Sequence, residues 1–437
     1  MDKLKAYREV FRSLPEGCAA AEVNLICKEN TEVTCAKGSM VECSTSEKNM
    51  LFVRATGKAT GTVYCENLDE DPEKLIKMAL ENASVVTAGE PQPMLKDHRD
   101  SHVAEEIRAV SADELLARAR EFSLLPGVEQ CTVSECIRHS VVLNSYGTET
   151  VQHQPVYSVS MDVLGKGEDN LKTKFRSSRD LDGIDVQEML RQLKAESILS
   201  HEELPFITLP AGTYDTVLSS AMMVNVMNTA WQLFAQRLID SGRSPLRIGD
   251  KLGSDKLYIV DCPTSPWSGY DYTIDCEGVR GAAENRLVEA GVVTGTLRTL
   301  NQGGSTGCAG RADLLTANIN TELISVPRNI WIRPGTQTPE DLVAQMKTGI
   351  HLTYSMDEFH SLNIARASFS IPCGGVYYEN GRAVGRLQQM NIFGSFRELL
   401  TGLEAVGNDV NMLPMWPHDD YCFGGPSLLI RGANFAM

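Results

Sequence analysis

Two periods alternate along this chain, one near 3.6 residues and one of two. Leu4, Tyr7, Val10 and Phe11 share a helical face, which predicts a helix over about residues 2–13, stopped at Pro15. Period two then takes over. LFVRATGKATGTVYC (51–65) alternates branched and aromatic side chains and predicts two strands turning near Gly57-Lys58. Helical spacing returns in DEDPEKLIKMALENAS, where Asp71-Pro72 is a cap and first-turn pair and Leu75, Met78, Ala79, Asn82 and Ala83 trace one side. PQPMLKD (91–97) reads as a connector. Ser111 and Glu114 stand at capping-box spacing. SVVLNSYG (140–147) and PVYSVSMDVLG (155–165) predict strands, and Asp185 and Glu188 open a helix in LDGIDVQEMLRQLKAES.

The pattern changes at 195–212, where a polar helix gives way to a segment punctuated by Pro205, Pro210 and Gly212. A domain boundary is expected there, with an N-terminal α+β domain over 1–200 and a strand-rich domain over 201–437. In the second, YDTVLSS predicts a short strand. AMMVNVMNTAWQLFAQRLIDSG predicts one long helix, apolar nearly all round and therefore buried. KLYIVDCP (256–263) is a strand, and beyond 275 strands and glycine turns dominate. Asn380-Gly381 is a two-residue hairpin signal. Thr338-Pro339 starts a helix carrying Leu342, Val343 and Met346. Ser395 and Glu398 box another, expected to carry Leu399, Leu400, Leu403 and Val406. The fold class is α+β, with N-terminal α/β layers and a strand-rich C-terminal domain around a buried helix.

Composition narrows the functions. The 437 residues suffice for two cores. A net charge of −16 makes the chain a poor candidate for direct nucleic-acid binding. The basic cluster Lys172, Lys174, Arg176 and Arg179 is short and reads as solvated surface. The N-terminus lacks an apolar signal core and no run of 18 apolar residues occurs, so a cytoplasmic location away from the membrane is expected. The twelve cysteines include no CxxC and read as reduced thiols, mostly small buried hydrophobes.

Candidate chemistry is sparse. HEELPF (201–206) begins like a helical zinc-protease signature. That signature needs a second histidine four residues on, and Pro205 stands there instead, barring a regular helix. The segment reads as the polar end of a helix entering a linker. His98 and His102 are four apart around Asp100 and Ser101. His351 and His360 flank Asp357 and Glu358. His418, Asp419, Asp420 and Cys422 form the densest set of ligand-capable groups; each set needs three converging ligands to hold a metal. There is no G-x-S-x-G. GSTGCAG (304–310) could expose Ser305, Thr306 or Cys308, but lacks the ending of a phosphate loop and reads as a turn between strands. From the residues alone, an enzyme with a dispersed site and a catalytically silent protein-binding partner both remain open.

Three stretches carry a resemblance. DCEGVRGAAENRLVEAGVVTGTLRTL (275–300), NQGGSTGCAGR (301–311) and GGVYYENGRAVGRLQQMNIFGSFRELLTGLEAVGNDV (374–410) resemble the TldD/PmbA family, whose members carry D-D-E-G-V, s-T-G-N-a-x-R, E-N-G and V-G-N-D elements in this order. KGSMVECSTSEKNMLFVRATGKATGTVYCENLDEDPEKLIKMALENAS is similar to the family's strand pair and following helix, so the resemblance covers nearly the whole chain. It implies a two-domain TldD/PmbA-like fold. TldD-type members carry H-E-x-x-x-H on a helix after a G-x-x-D-V-V-L strand; PmbA-type members, also called TldE, lack it. Here the strand is GTYDTVLSS and the H-E-x-x-x-H positions fall on or near Asn228, Thr229 and Leu233. Neither an amide nor a leucine side chain replaces a zinc-ligating histidine. The family's C-terminal cysteine ligand has a positional counterpart at most in Cys422, and His418 and Cys422 are the remaining metal alternatives.

The resemblance therefore implies a PmbA/TldE-like subunit without catalytic, cofactor-binding or metal residues of its own. Its expected partner is a TldD-like subunit that holds the zinc, in an assembly that degrades or processes small unfolded or modified peptides. The alternatives are a homodimer that binds peptide or protein without hydrolysis, and a hydrolase with an unrecognised site. The family's description as modulators of DNA gyrase gains nothing from the charge of this chain. Cys276 replaces the second acid of D-D-E-G, leaving Asp275 and Glu277 to face one side of an expected strand, either holding an arginine at an interface or facing water. Asp275, Glu277, Ser305 and Thr306 are the candidate peptide or interface contacts, through strand edges near 275–311.

Overall fold

The computed structural model describes residues 3–85, 91–103, 110–165, 171–195, 201–312, 319–415 and 419–436. In the first half, Ala20–Ala36, Ser39–Thr56, Val128–Asn144 and Glu149–Leu164 build the antiparallel centre of a seven-stranded sheet, and Thr60–Cys65 extends one edge. At the other edge, Glu149–Leu164 carries two partners end to end. Arg99–Val103 runs parallel to its start, and Leu171–Ser178 antiparallel to its end.

Period two sorts the faces of this sheet. Ala21, Val23, Leu25, Leu51 and Val53 pack under the helices Lys3–Val10 and Pro72–Val85. Further along the same strands, Val33, Val133, Val159 and Met161 meet the helices Ala112–Ser123 and Val186–Ala195. The alternate positions are polar and still buried: Glu22, Asn24, Arg54, Thr150, Gln152 and Gln154. Buried polar groups require partners. Glu22 and Arg54 stand opposite each other across the two strands and pair at 2.6 Å. The second half supplies others. Gln152 and Gln154 donate to the Asp271 carbonyl at 2.5 and 2.7 Å, and Arg311 Nε donates to Asn24 Oδ1 at 3.2 Å.

In the second half, Gly349–Ser355, Gly212–Leu218, Leu428–Ala436, Arg382–Ser395 and Ser368–Glu379 pair in turn, and the last returns to the first, closing a barrel. Beside it stands a six-stranded sheet centred on Ile259–Cys262, Asn329–Ile332 and Cys422–Gly425. The helix Ser220–Ala230 lies in the core shared by the two, with Met222, Met223, Val226 and Met227 buried among Leu218, Ile259, Ile332, Ile371 and Leu428.

Most predicted elements are present, and the differences have local causes. The first helix spans only Lys3–Val10. The expected long helix is three pieces: Ser220–Ala230, a 3-10 turn Trp231–Phe234, and Gln236–Asp240. Ala235 is extended because the chain pairs there with Leu297, through Leu297 N to Phe234 O at 2.9 Å and Gln236 N to Leu297 O at 3.0 Å. Tertiary backbone pairing thus overrides helical periodicity. The helix boxed by Ser395 and Glu398 ends at Thr401, and Leu403 and Val406 lie instead on a strand, Leu403–Val406, beside Leu428–Ala436. At Asn380-Gly381 both residues take positive φ, 50° and 80°, as a two-residue hairpin turn requires.

The halves approach closely at Gly269, whose N–H donates to Ser177 Oγ at 3.0 Å. A Cβ there would lie 2.5 Å from the Ser178 carbonyl oxygen, so the close approach depends on glycine. Gly269→Ala should lower stability by about 1–3 kcal/mol through overpacking. Urea unfolding checks this; an unchanged midpoint would show that the halves do not pack this tightly.

Candidate functional site

The HEELPF segment contains no helix. Leu204 N donates to His201 O in a turn, and the chain then lies along Arg382–Ser395, with Arg386 N to Pro205 O and Ile207 N to Arg386 O both at 2.9 Å. The Arg386 guanidinium stacks 4.1 Å from the Phe206 ring. This docking holds the connection between halves against the barrel and gathers no ligands.

The positions that the resemblance assigns to H-E-x-x-x-H lie at the end of the buried helix and on the turn after it. Thr229 and Leu233 are buried and Asn228 half-buried. Asn228 Oδ1, Thr229 Oγ1 and Trp231 Nε1 are sealed from solvent without a hydrogen-bond partner among the described residues. Leu233 sits on the 3-10 turn, off the helix, and lines an apolar space with Met223, Met227 and Phe234. Zinc takes three or four nitrogen, sulfur or carboxylate donors in tetrahedral array. An amide, a hydroxyl and an isobutyl group do not fit it. Cys422 does not complete a set either. Its neighbours Tyr421 and Phe423 share the helix's core, whereas Cys422 packs on the opposite side with Val260, Trp331 and Met412. Its Sγ lies 3.3 Å from Ser268 Oγ, and burial pushes the thiol up to about 12, away from the thiolate a metal needs.

The other candidate clusters are parted. His418 lies outside the described residues. Asp420 forms an ion pair with Arg138 at 3.7 Å, and the Asp419 carbonyl accepts from Arg138 and Tyr272. His102 pairs with Asp271 at 2.8 Å, while His98 precedes that strand and has no part in the pair. His360 bonds Asp357 on the surface, whereas His351 lines an internal cavity. Among the described residues, no three His, Cys, Asp or Glu side chains gather as a metal would require. Nor, among them, is any helix long and apolar enough to cross a membrane.

The acidic pair sits on a turn rather than a strand, with Glu277 buried and Asp275 half-buried. Asp275 accepts from the N–H groups of Glu277, Val279 and Ala309 at 2.8, 2.9 and 3.0 Å and from Ser305 Oγ at 3.3 Å, tying the turn to the 304–310 loop. Glu277 accepts from Leu300 N at 2.8 Å and feels the charge of Arg54 across the interface. Cys276 packs with Ile26, Met50 and Phe52 of the first half. Ser305 accepts from Gly307 N and Thr306 Oγ1 from Arg298 N, so both hydroxyls shape their own loop. Cys308 is buried, not exposed, and its thiol donates to Asp261, the carboxylate of the buried Arg328 pair. The outer edge at Ala309 is occupied by Asp275 and by Cys276 N.

The sequence reading missed a cavity of about 350 Å³ between the halves. Lys174, Glu188, Arg191 and Gln192 line it from the first half; Ser220, Glu340, His351, Thr353, Asp409 and Ser427 are among its residues from the second. Lys174 was expected at the surface and is 4% exposed. It stands with Lys172 and Arg176 on Leu171–Ser178, an edge strand that the second half covers, and nothing in a run of alternating basic residues signals that. Asp409, from the V-G-N-D element, accepts from Ser427 N at 2.9 Å and from Ser427 Oγ at 2.7 Å; Ser427 Oγ in turn accepts from Ser220 N at 3.1 Å. That element thus fixes the start of the buried helix.

Burial pushes Glu277 up to about 8, with the charge of Asp275 adding to it, and raises Asp275 as well. A carboxyl raised on folding holds its proton in the native state while the unfolded chain has lost it. The stability it contributes is full below about pH 4, the ordinary carboxylate range, and is lost as pH rises to about 8. Glu277→Gln keeps an oxygen acceptor for Leu300 N and removes the ionisation. It should gain at least about 1 kcal/mol over the parent at pH 8.5 and little at pH 5 in urea unfolding. An equal effect at both values would refute the buried-acid assignment.

Residues 211–437 match the PmbA/TldA metallopeptidase C-terminal domain. A metalloprotease of Methanocaldococcus jannaschii is 27% identical over 172 residues, 38% of this chain and 36% of that protein, so the match spans about a third of the relative's length. A solved structure of TldE from Thermococcus kodakarensis superposes with a TM-score of 0.78 at 18% identity, over 99% of this chain and 100% of that one. A proposed modulator of DNA gyrase from Thermotoga maritima superposes with a TM-score of 0.76 at 19% identity, over 99% of each chain. The structural likenesses establish the fold, and the domain match covers more than half of the sequence: this chain belongs to the TldD/PmbA metallopeptidase family.

Proposed function

We propose that this chain is the PmbA/TldE-type subunit of a TldD/TldE-like peptidase, shaping the chamber and docking extended peptide while a TldD-like partner holds the zinc. One observation carries the reading. In a family fold, Asn228 and Thr229 on the helix Ser220–Ala230 and Leu233 on the turn beyond it stand where the resemblance puts the zinc motif, and none of the three is a zinc-ligating side chain. The fold is kept while these positions carry no histidine, which supports a subunit retained for assembly. The net charge of −16 speaks against direct action on DNA.

The test is co-expression with an H-E-x-x-x-H relative encoded in the same genome, followed by co-purification and a peptidase assay on short unstructured peptides. The expected outcome is a stable complex whose hydrolysis needs both chains and is abolished by chelation. Failure to associate would contradict the reading and leave a homodimeric peptide binder. Hydrolysis by this chain alone would instead point to an unrecognised site.

A further inference from the structure

We propose that the cavity between the halves is a binding site for a small organic carboxylate of di- or tripeptide size. The site is separate from the degenerate zinc positions: it opens at the first residues of the helix Ser220–Ala230, and those positions lie at its other end. Its volume of about 350 Å³ exceeds what a lone inorganic anion fills and falls at the small end of ligand sites.

The balance of donors and acceptors gives the ligand's chemistry. The acids on the first-half and Ser427 sides are already engaged. Glu188 accepts from Arg191 at 2.6 and 2.7 Å and from Gln192 at 2.8 Å, and Asp409 is taken up by Ser427. The donors are not. Ser220 lines the cavity, is 6% exposed, and its hydroxyl has no hydrogen-bond partner among the described residues. Thr353 Oγ1 is likewise buried and unpaired, and the His351 ring makes no hydrogen bond among them. Two helix starts line the same space, Ser219-Ser220 and Thr338-Pro339, and both bring positive field to it. The ammonium of Lys174 belongs to the lining too. Two hydroxyls and an imidazole without partners, under two helix starts, match the four lone-pair sites of a carboxylate. Exposed Glu340, at the second helix start, is placed to receive an ammonium group and so to favour a zwitterion such as a short peptide.

The inference does not depend on a partner subunit, so its test uses the full chain alone. Calorimetry would compare trialanine with a free C-terminus, its C-terminal amide, and inorganic phosphate. Trialanine should bind with a Kd below about 1 mM, and the amide and phosphate at least about tenfold more weakly. Ser220→Ala with Thr353→Val should weaken trialanine by about tenfold or more, and Thr353→Val alone, at a half-buried position, serves if the double variant fails to fold. Absence of trialanine binding, equal affinity for the amide or for phosphate, or affinity unchanged in the folded variant would each overturn the proposal.

Discussion

The helix Ser220–Ala230 starts in buried surroundings that leave the N–H groups of its first turn without water, and the second half of this protein is arranged around that constraint. Ser219 caps Met222 N, and Ser427, held by Asp409, takes Ser220 N. The strand Leu428–Ala436 that follows Ser427 pairs with Gly212–Leu218, which leads into the helix, so one polar relay fixes the helix start and the barrel register together. Beyond the first turn Met223, Val226 and Met227 pack against apolar neighbours. That packing continues to Leu233 on the following turn, which lies with Met223, Met227 and Phe234.

A second constraint joins the halves. The N-terminal sheet buries one apolar face under helices and one polar face against the C-terminal half. Polar faces specify register more sharply than apolar ones because a shifted partner leaves groups unpaired. The Glu22–Arg54 pair, the glutamines on the Asp271 carbonyl, and Arg311 stacked 4.1 Å over Phe52 while bonding Asn24 form such a set. The acidic turn at Asp275 and Glu277 is inserted into this seam. It reads as an internal brace rather than a surface for peptide.

Much of this was legible in the sequence, because most elements obey local rules. The capping residues Ser111, Thr338 and Ser395, the Asn380-Gly381 turn and the burial of the Ser220–Ala230 helix follow from pattern alone. The positions on or near Asn228, Thr229 and Leu233 were reached through resemblance, by counting from GTYDTVLSS. What escaped were contacts between distant segments. The break at Ala235 is imposed by Leu297, the burial of Lys174 by the second half, and the cavity by residues from both halves. No local period encodes these. Cys422 shows the same limit: its place in the sequence suggested a ligand, and strand alternation turned it to the opposite face from the helix.

The central claim is that the family fold persists here without its metal site. Zinc content of the chain, purified alone without chelators and measured by elemental mass spectrometry, tests it most directly. The account predicts far less than one zinc per folded chain, unchanged by Cys422→Ala. Stoichiometric zinc that survives dialysis and is lost in that variant would contradict it.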